Sequence, residues 1–276
     1  MFLGMLEEIP GHYVGQSASR GVRVLFRKDG SGWRPFPSDC ADQACLRSIT
    51  SMYPQTVEWN IGFSGRSLGH LKASTPGDFG FYSDIGLQRI TTGASVPNIG
   101  GRRKSYGGFL GTPVLRPLVA NSLPRFSDPD SWHPAKASDA VSAELRLQFR
   151  RRFPTALNCV HPNDGGTPGP WKYRDADIRL ARFYASDKGW SVAQVLLWGY
   201  RCDAPAGDEF IDQWFAVAPD GKVRYLGAGM WLVDAGDYDN DGRSEVIFSI
   251  DRYNRGGYEL FYDGFRRHAT FEFGYH

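Results

Sequence analysis

The sequence has no long hydrophobic run and no strong excess of charge of one sign. A membrane-spanning helix needs about 18 or more consecutive apolar residues, whereas the longest apolar candidate, Ser191 to Tyr200, has about the length of one strand. The 32 basic and 30 acidic residues leave a formal net charge of +2. Such a balance gives no overall attraction to nucleic acid or to an anionic membrane. We therefore expect neither a transmembrane segment nor a nucleic-acid partner.

Several signatures of enzymes and metal sites are also missing. The sequence contains no GxSxG elbow, no Walker loop and no HExxH motif, so it gives no support to α/β-hydrolase chemistry, to a P-loop nucleotide site or to an HExxH zinc site. The absence of a CxxC pair argues against a structural zinc site. The six histidines show no metal-ligand spacing and are interpreted as surface or packing residues: His12, His70, His133, His161, His268 and His276.

Cysteine is scarce, and its four copies leave two interpretations open. Two disulfides are possible, with a local bridge between Cys40 and Cys45 and a second bridge between Cys159 and Cys202. The alternative is four buried free thiols, which are common in cytosolic proteins. The disulfide interpretation is favoured slightly.

The N-terminal sequence MFLGMLEEIPG does not read as a signal peptide. No basic region precedes its apolar residues, and Glu7 and Glu8 interrupt them. Either the protein stays in the cytoplasm, or a signal is absent from this sequence. We expect a periplasmic or secreted protein, with the cytoplasm as the alternative.

Glycine, proline and aromatic residues are abundant. The chain has 33 Gly and 17 Pro, and 14% of its residues are aromatic. This composition predicts short strands joined by tight turns, with bulky side chains between the sheets. Alternating segments around turn residues predict hairpins over Val22–Phe36, Val57–Ala73, Ile178–Tyr200, Gln213–Leu226 and Tyr258–Phe273. Recurring aromatic-rich hairpins are typical of propeller blades or a large sandwich, and we expect a mainly β, antiparallel, propeller-like fold.

The middle of the chain has a different character. Six prolines lie between Pro97 and Pro134, and proline cannot donate a hydrogen bond within a central strand, so this segment is predicted to be mainly irregular. One helix follows over Ala140–Phe153, capped by Ser138 or Asp139. We expect a single β domain over residues 1–276, interrupted by an irregular and helical insertion over about 97–170.

The most informative segment is an acidic loop that begins at Asp237. Counting from that residue, carboxylates stand at positions 1, 3, 5 and 9, which are Asp237, Asp239, Asp241 and Glu245. Gly242 allows a sharp turn, and the carbonyl of Arg243 can face the same centre. These are hard oxygen donors in a short loop, the ligand set that calcium prefers. Zinc or copper would favour histidine or cysteine, which the loop lacks.

Two other kinds of loop use some of the same residues. An EF-hand needs a bidentate Glu at position 12, where this chain has Phe248, and it needs flanking helices, whereas Val246–Ile250 reads as a strand. A solvated hairpin turn would also use Asp and Gly. It would not need four carboxylates within nine residues, whose repulsion is unfavourable without a cation.

The pattern Asp237-x-Asp239-x-Asp241-Gly242-x-x-Glu245, entering a strand, resembles the calcium loop of FG-GAP/VCBS-type repeats. Those repeats form blades of β-propellers in integrin α chains and in many secreted bacterial proteins. The resemblance covers about Leu232 to Ile250. It implies calcium held by the same four carboxylates and by the Arg243 carbonyl.

These features lead to a leading function and an alternative. We expect a calcium-stabilised, propeller-like protein that binds an unknown protein or glycan and is not an enzyme. The alternative is a carboxylate-based hydrolase acting on a polysaccharide or phosphoester, since paired carboxylates can cleave glycosidic bonds. A second acidic cluster could offer carboxylates for that role, although a solvated loop is the preferred interpretation of it: Asp203, Asp208, Glu209 and Asp212.

A basic group on the predicted helix has a simple structural explanation. Cations near a helix C-terminus complement the helix dipole, which accounts for Arg146, Arg150, Arg151 and Arg152.

Overall fold

The computed structural model describes most of the chain, which is mainly β, with 51% strand and 13% helix. The described residues are 1–9, 19–30, 32–92, 96–97, 102–107, 113–158, 169–198, 213–252 and 254–274, with the backbone alone described at 102–107, 113–115 and 157–158. The chain divides into two compact units. The first consists of Met1–Pro129, Leu232–Ser249 and Asn254–His276, and the second of Asp130–Trp231 and Ile250–Tyr253.

The first unit contains a closed antiparallel barrel of six strands. Its strands are β1 (Phe2–Ile9), β2 (Ser19–Asp29), β4 (Thr56–Phe63), β5 (Arg66–Ser74), β6 (Leu87–Ile90) and β9 (Leu118–Asn121), and β3 (Gly32–Pro35) pairs with β2 outside the ring. The order around the barrel is β1-β9-β4-β5-β6-β2, and the pairing of β1 with β2 closes it. Closure removes the exposed strand edges that an open sheet would present.

Bulky apolar side chains fill the core of this unit. Phe26, Trp59 and Ile61 are buried in it, and the Trp59 indole donates a hydrogen bond of 2.9 Å to Gln88. Burying such side chains is the main favourable contribution to folding, at about 25 cal/mol per Å² of apolar surface. The described residues of this part of the unit also form α1 (Gln43–Thr50), β7 (Arg102–Gly107) and β8 (Pro113–Leu115).

A four-stranded sheet near the C-terminus extends the core of the first unit. Its strands follow one another in sequence order: β17 (Met230–Gly236), β18 (Glu245–Arg252), β19 (Arg255–Tyr262) and β20 (Arg267–Gly274). Val233, Ile247, Leu260 and Phe271 from these strands belong to the same hydrophobic cluster as the barrel residues. The acidic loop joins β17 to β18, so both of its ends are held by strands of this sheet.

The second unit combines a helix with a five-stranded sheet. The sheet has the order β10-β13-β14-β15-β16, and the described part of the unit also contains a short hairpin and the helix. Its elements are β10 (His133–Pro134), α2 (Asp139–Arg152), β11 (Ala156–Asn158), β12 (Gly169–Trp171), β13 (Ile178–Ala185), β14 (Ser191–Leu197), β15 (Gln213–Val217) and β16 (Val223–Gly227). The helix places Leu145 and Phe149 in a core with Ile178, Val195 and Phe215.

The helix prediction is confirmed, while other expectations are changed. The Ser138 side chain caps α2 by accepting a hydrogen bond from the Val141 N–H. A mainly β architecture is also confirmed, but the described strands show a closed barrel with further sheets and not a propeller. Hairpins are shared by both architectures, so hairpin patterns alone did not distinguish them.

The proline-rich segment holds more strand than we expected. Pro117 directly precedes β9, which lies between β1 and β4 in the barrel. A proline just before a strand removes no hydrogen bond from it, so the segment can supply a central strand after all. The predicted insertion over about 97–170 also spans parts of both units, whose boundary falls between Pro129 and Asp130.

One of the two expected disulfides is present among the described residues. A disulfide joins Cys40 to Cys45, with 5.5 Å between their Cα atoms, whereas Cys159 and Cys202 lie outside the described residues.

None of the helices in the described part of the chain is long and apolar enough to cross a membrane.

Candidate metal centre in the acidic loop

The acidic loop between β17 and β18 is wound tightly by its own hydrogen bonds. The Asp237 carboxylate accepts bonds from the backbone N–H groups of Asp241, at 3.0 Å, and Gly242, at 2.9 Å. Gly242 has a φ of +87° and Asn240 a φ of +58°, conformations that glycine and asparagine adopt more readily than other residues. The residue types of the loop therefore match the backbone that turns it.

The loop brings three of the predicted ligands together. One carboxylate oxygen each from Asp237, Asp239 and Glu245 lies within 4.8 Å of the others. Asp237 and Glu245 are buried, and the side chain of Asp239 is only 3% exposed. Buried carboxylates so close together repel one another, and a divalent cation between them would reverse that repulsion.

The other two predicted ligands are the Asp241 carboxylate and the Arg243 carbonyl. Asp241 is exposed and does not belong to the group of three; its carboxylate accepts a hydrogen bond of 2.9 Å from the Arg243 N–H. The Arg243 side chain forms an ion pair with Asp263 at 3.4 Å. The predicted ligand at Arg243 is its backbone carbonyl and not this side chain.

Strand β18 fixes Glu245, the predicted ligand farthest along the chain. This residue begins the strand, and its carboxylate accepts a hydrogen bond of 2.7 Å from the Tyr238 N–H. On the other side, Asn121 of β9 donates a 2.7 Å bond to the Tyr238 carbonyl, and the Asp237 N–H donates to the Ser127 carbonyl at 2.8 Å. The barrel and the segment that follows it thus hold the loop in place.

A lysine that the sequence did not reveal lies at this site. Lys28, near the end of β2, forms an ion pair with Asp239, and its ammonium group lies 5.3 Å from the centre of the Trp33 ring. The two residues of the pair are 211 positions apart, so only the folded barrel brings them together. A cationic side chain therefore already pairs with one of the three carboxylates.

Burial changes the acid–base behaviour of the group. Burial, helped by the charges of Asp241 and Asp237, raises the pKa of Glu245 to about 8, although the Tyr238 N–H and Lys28 oppose this. Burial also raises the pKa of Asp237, against the hydrogen bonds from the loop backbone. Because both pKa values are raised, these carboxyl groups hold their protons to a higher pH when no metal is bound. A calcium ion would displace those protons.

A further buried carboxylate, Asp234, lies on strand β17, three residues before Asp237. Asp234 accepts hydrogen bonds of 3.0 and 3.2 Å from the Ser64 N–H, and burial raises its pKa to about 7. The hydroxyl of Tyr238 is buried without a hydrogen-bond partner among the described residues, and its pKa is raised by burial and by the charge of Asp234. Because Asp234 and Tyr238 are also buried, deprotonating either of them costs free energy, as it does for the carboxylates of the acidic loop.

The other predicted clusters give no second centre among the described residues. The acidic group that could support hydrolysis lies outside them: Asp203, Asp208, Glu209 and Asp212. Two histidines have carboxylate neighbours, with His268 2.7 Å from Glu259 and His133 4.0 Å from Asp187. His12, His161 and His276 lie outside the described residues.

Comparisons with protein-family models, with curated proteins and with solved structures found no match. The FG-GAP/VCBS resemblance therefore stays a prediction that rests on the residues of the loop.

Proposed function

We propose that this protein is a calcium-stabilised binding protein and that the acidic loop holds the ion. The observation that carries this proposal is the convergence of Asp237, Asp239 and Glu245 within 4.8 Å at a largely buried position. Carboxylate oxygens in a flexible loop suit calcium, which takes six to eight oxygen ligands. The Asp241 carboxylate and the Arg243 carbonyl are proposed to complete the set together with water.

The FG-GAP/VCBS resemblance is proposed to apply to one sheet. The loop joins the first two strands of the four-stranded sheet β17–β20, which is the size of one propeller blade. A propeller-like arrangement of the whole chain is not needed for this loop to bind calcium.

We propose that the protein works outside the cytoplasm, where it binds a protein or a glycan. Calcium sites of extracellular modules work at dissociation constants of about 10⁻⁴ to 10⁻³ M, and disulfides persist in oxidising compartments. The disulfide between Cys40 and Cys45 is consistent with such a compartment. A role in binding fits a metal that stabilises the fold rather than one that takes part in a reaction.

Thermal unfolding with calcium and with EDTA tests the metal part of the proposal. The wild type should unfold at a higher temperature in calcium, and Asp239→Ala should lose this difference. Asp263→Asn is the matched control, because Asp263 lies near the loop through its pairing with Arg243 but offers no ligand to the group. Equal midpoints for the wild type in calcium and EDTA would contradict the proposal.

The binding part needs its own experiment. A glycan array and a pull-down from an extract of the source organism, each run in calcium and in EDTA, should show a ligand that is retained in calcium and lost in EDTA. Turnover of a polysaccharide or phosphoester by the purified protein would favour the hydrolase alternative.

A further inference from the structure

A groove in the second unit is lined by three arginines. It has a volume of about 740 Å³ and lies between helix α2 and the segment that leads into strand β13. Arg146 and Arg150 line it from the helix, and Arg179 and Asp175 line it from the other side. We call this feature the arginine groove. Small-molecule sites commonly have volumes of about 300–1,000 Å³.

The charges in the arginine groove do not cancel. Arg150 is bound to Asp175 through two guanidinium nitrogens, so this pair is neutral. Arg146 and Arg179 form no ion pair with a carboxylate among the described residues. Two positive charges therefore remain in the groove, although the whole chain has a net charge of only +2.

Both uncompensated arginines are held in position by other contacts. The Arg146 Nε donates a hydrogen bond of 3.4 Å to the Ile178 carbonyl, which leaves its terminal nitrogens available to another acceptor. The Arg179 guanidinium lies 4.0 Å from the centre of the Trp198 ring. An arginine stacked on an aromatic ring keeps its in-plane N–H groups directed outward, where they can bind an anion.

We propose that the arginine groove binds a phosphate-bearing small molecule, with the phosphate group between Arg146 and Arg179. A phosphate group carries up to two negative charges and several acceptor oxygens, so it can bind two guanidinium groups at once. A carboxylate has one charge, which a single arginine would balance. The volume of the groove leaves room for more of the ligand than the phosphate alone.

The indole of Trp198 supplies a direct readout of this site. Its side chain is 57% exposed, and a ligand that draws the Arg179 guanidinium away from the ring should change the fluorescence of this tryptophan. The chain has eight tryptophans, so the Trp198→Phe variant identifies the part of the signal that belongs to the groove.

The proposal is tested by titration with inorganic pyrophosphate, followed by tryptophan fluorescence and by calorimetry. All titrations contain EDTA, so that pyrophosphate cannot act by removing calcium from the acidic loop, and the outcome is therefore independent of the proposed calcium function. The wild type should bind at millimolar concentration or below. Arg146→Gln and Arg179→Gln should each weaken binding by about tenfold or more, because each removes one charge-assisted contact.

Arg174→Gln is the matched control in the same unit. Arg174 pairs with Asp177, is 81% exposed and does not line the groove, so its variant should bind pyrophosphate within about twofold of the wild type. Thermal unfolding of each variant checks that it is folded. The proposal is overturned if the wild type does not bind, if Arg174→Gln weakens binding as much as the groove variants, or if folded Arg146→Gln and Arg179→Gln bind like the wild type.

Discussion

Replacing Glu245 with glutamine should have opposite effects on the protein with and without calcium. Glutamine has the shape of glutamate, and its side-chain oxygen can still accept the hydrogen bond from the Tyr238 N–H. It has no charge, however, so it removes both the repulsion within the acidic group and one ligand of the proposed ion. A residue that only supports the fold would give a loss of stability in both conditions.

The expected size of the effect without calcium follows from the pKa of Glu245. Burial and the neighbouring carboxylates raise this pKa from 4.5 to about 8. Between these values the folded state holds a proton that the unfolded state releases, so the free energy of unfolding falls as pH rises. The upper bound of the loss is about 3 kcal/mol at pH 7 and about 5 kcal/mol at pH 9. Glu245→Gln escapes this loss and should unfold at a higher temperature than the wild type in EDTA, with a difference that grows with pH.

Calcium should reverse the order of the two proteins. At a concentration one hundredfold above its dissociation constant, an ion stabilises the wild type by ~2.7 kcal/mol, which corresponds to an increase of roughly 5–10 °C in the midpoint. The variant should gain little. The assay is calorimetric unfolding at pH 6, 7 and 9, in calcium and in EDTA. The reasoning is refuted if Glu245→Gln responds to calcium like the wild type, or if it is less stable than the wild type in EDTA at every pH.

Two further predictions concern contacts that only the fold reveals. Lys28→Met should strengthen calcium binding by roughly two- to tenfold in a calorimetric titration, because the ammonium group that pairs with Asp239 must be displaced by the ion; weaker binding would show that the lysine assists the site. Gly257→Ala should lower the free energy of unfolding by about 1–3 kcal/mol in a denaturant titration, because its Cβ would lie 2.0 Å from the Phe271 carbonyl oxygen. Gly77→Ala is the control, since its Cβ would meet nothing within 4 Å; equal losses in the two variants would contradict the steric explanation.

Local patterns in the sequence predicted the local structure well. The helix over Asp139–Arg152 follows from a capping serine and a periodic apolar face, and the hairpin of β4 and β5 follows from alternation around a glycine turn. These features depend on residues that are close in the chain, so sequence alone contains what determines them. The convergence of Asp237, Asp239 and Glu245 is local in the same way, because these three residues lie within nine positions of one another.

Closure of the barrel was not predictable in this way. It depends on the pairing of β1 with both β2 and β9, and β9 lies more than a hundred residues along the chain from β1. The N-terminal sequence argued against a signal peptide and the prolines around β9 argued for an irregular segment, so neither pattern indicated a strand pairing. Nothing in either short sequence specifies its partner, since strand pairing over such distances is decided by burial in the completed core.

The two proposed sites differ in the same respect, and this difference explains why only one of them could be proposed from the sequence. The proposed calcium ligands lie on one loop and have a spacing that can be read directly, and the structure adds mainly Lys28, which comes from a distant strand. The arginine groove has no such spacing, because Arg146 lies on a helix and Arg179 lies on a strand 33 positions later. On the helix alone, Arg146 is one of several cations near the C-terminus, which the helix dipole explains. The structure brings Arg179 into the same groove and shows no carboxylate partner for Arg146 among the described residues, and both facts become evident only when α2 and β13 are packed together.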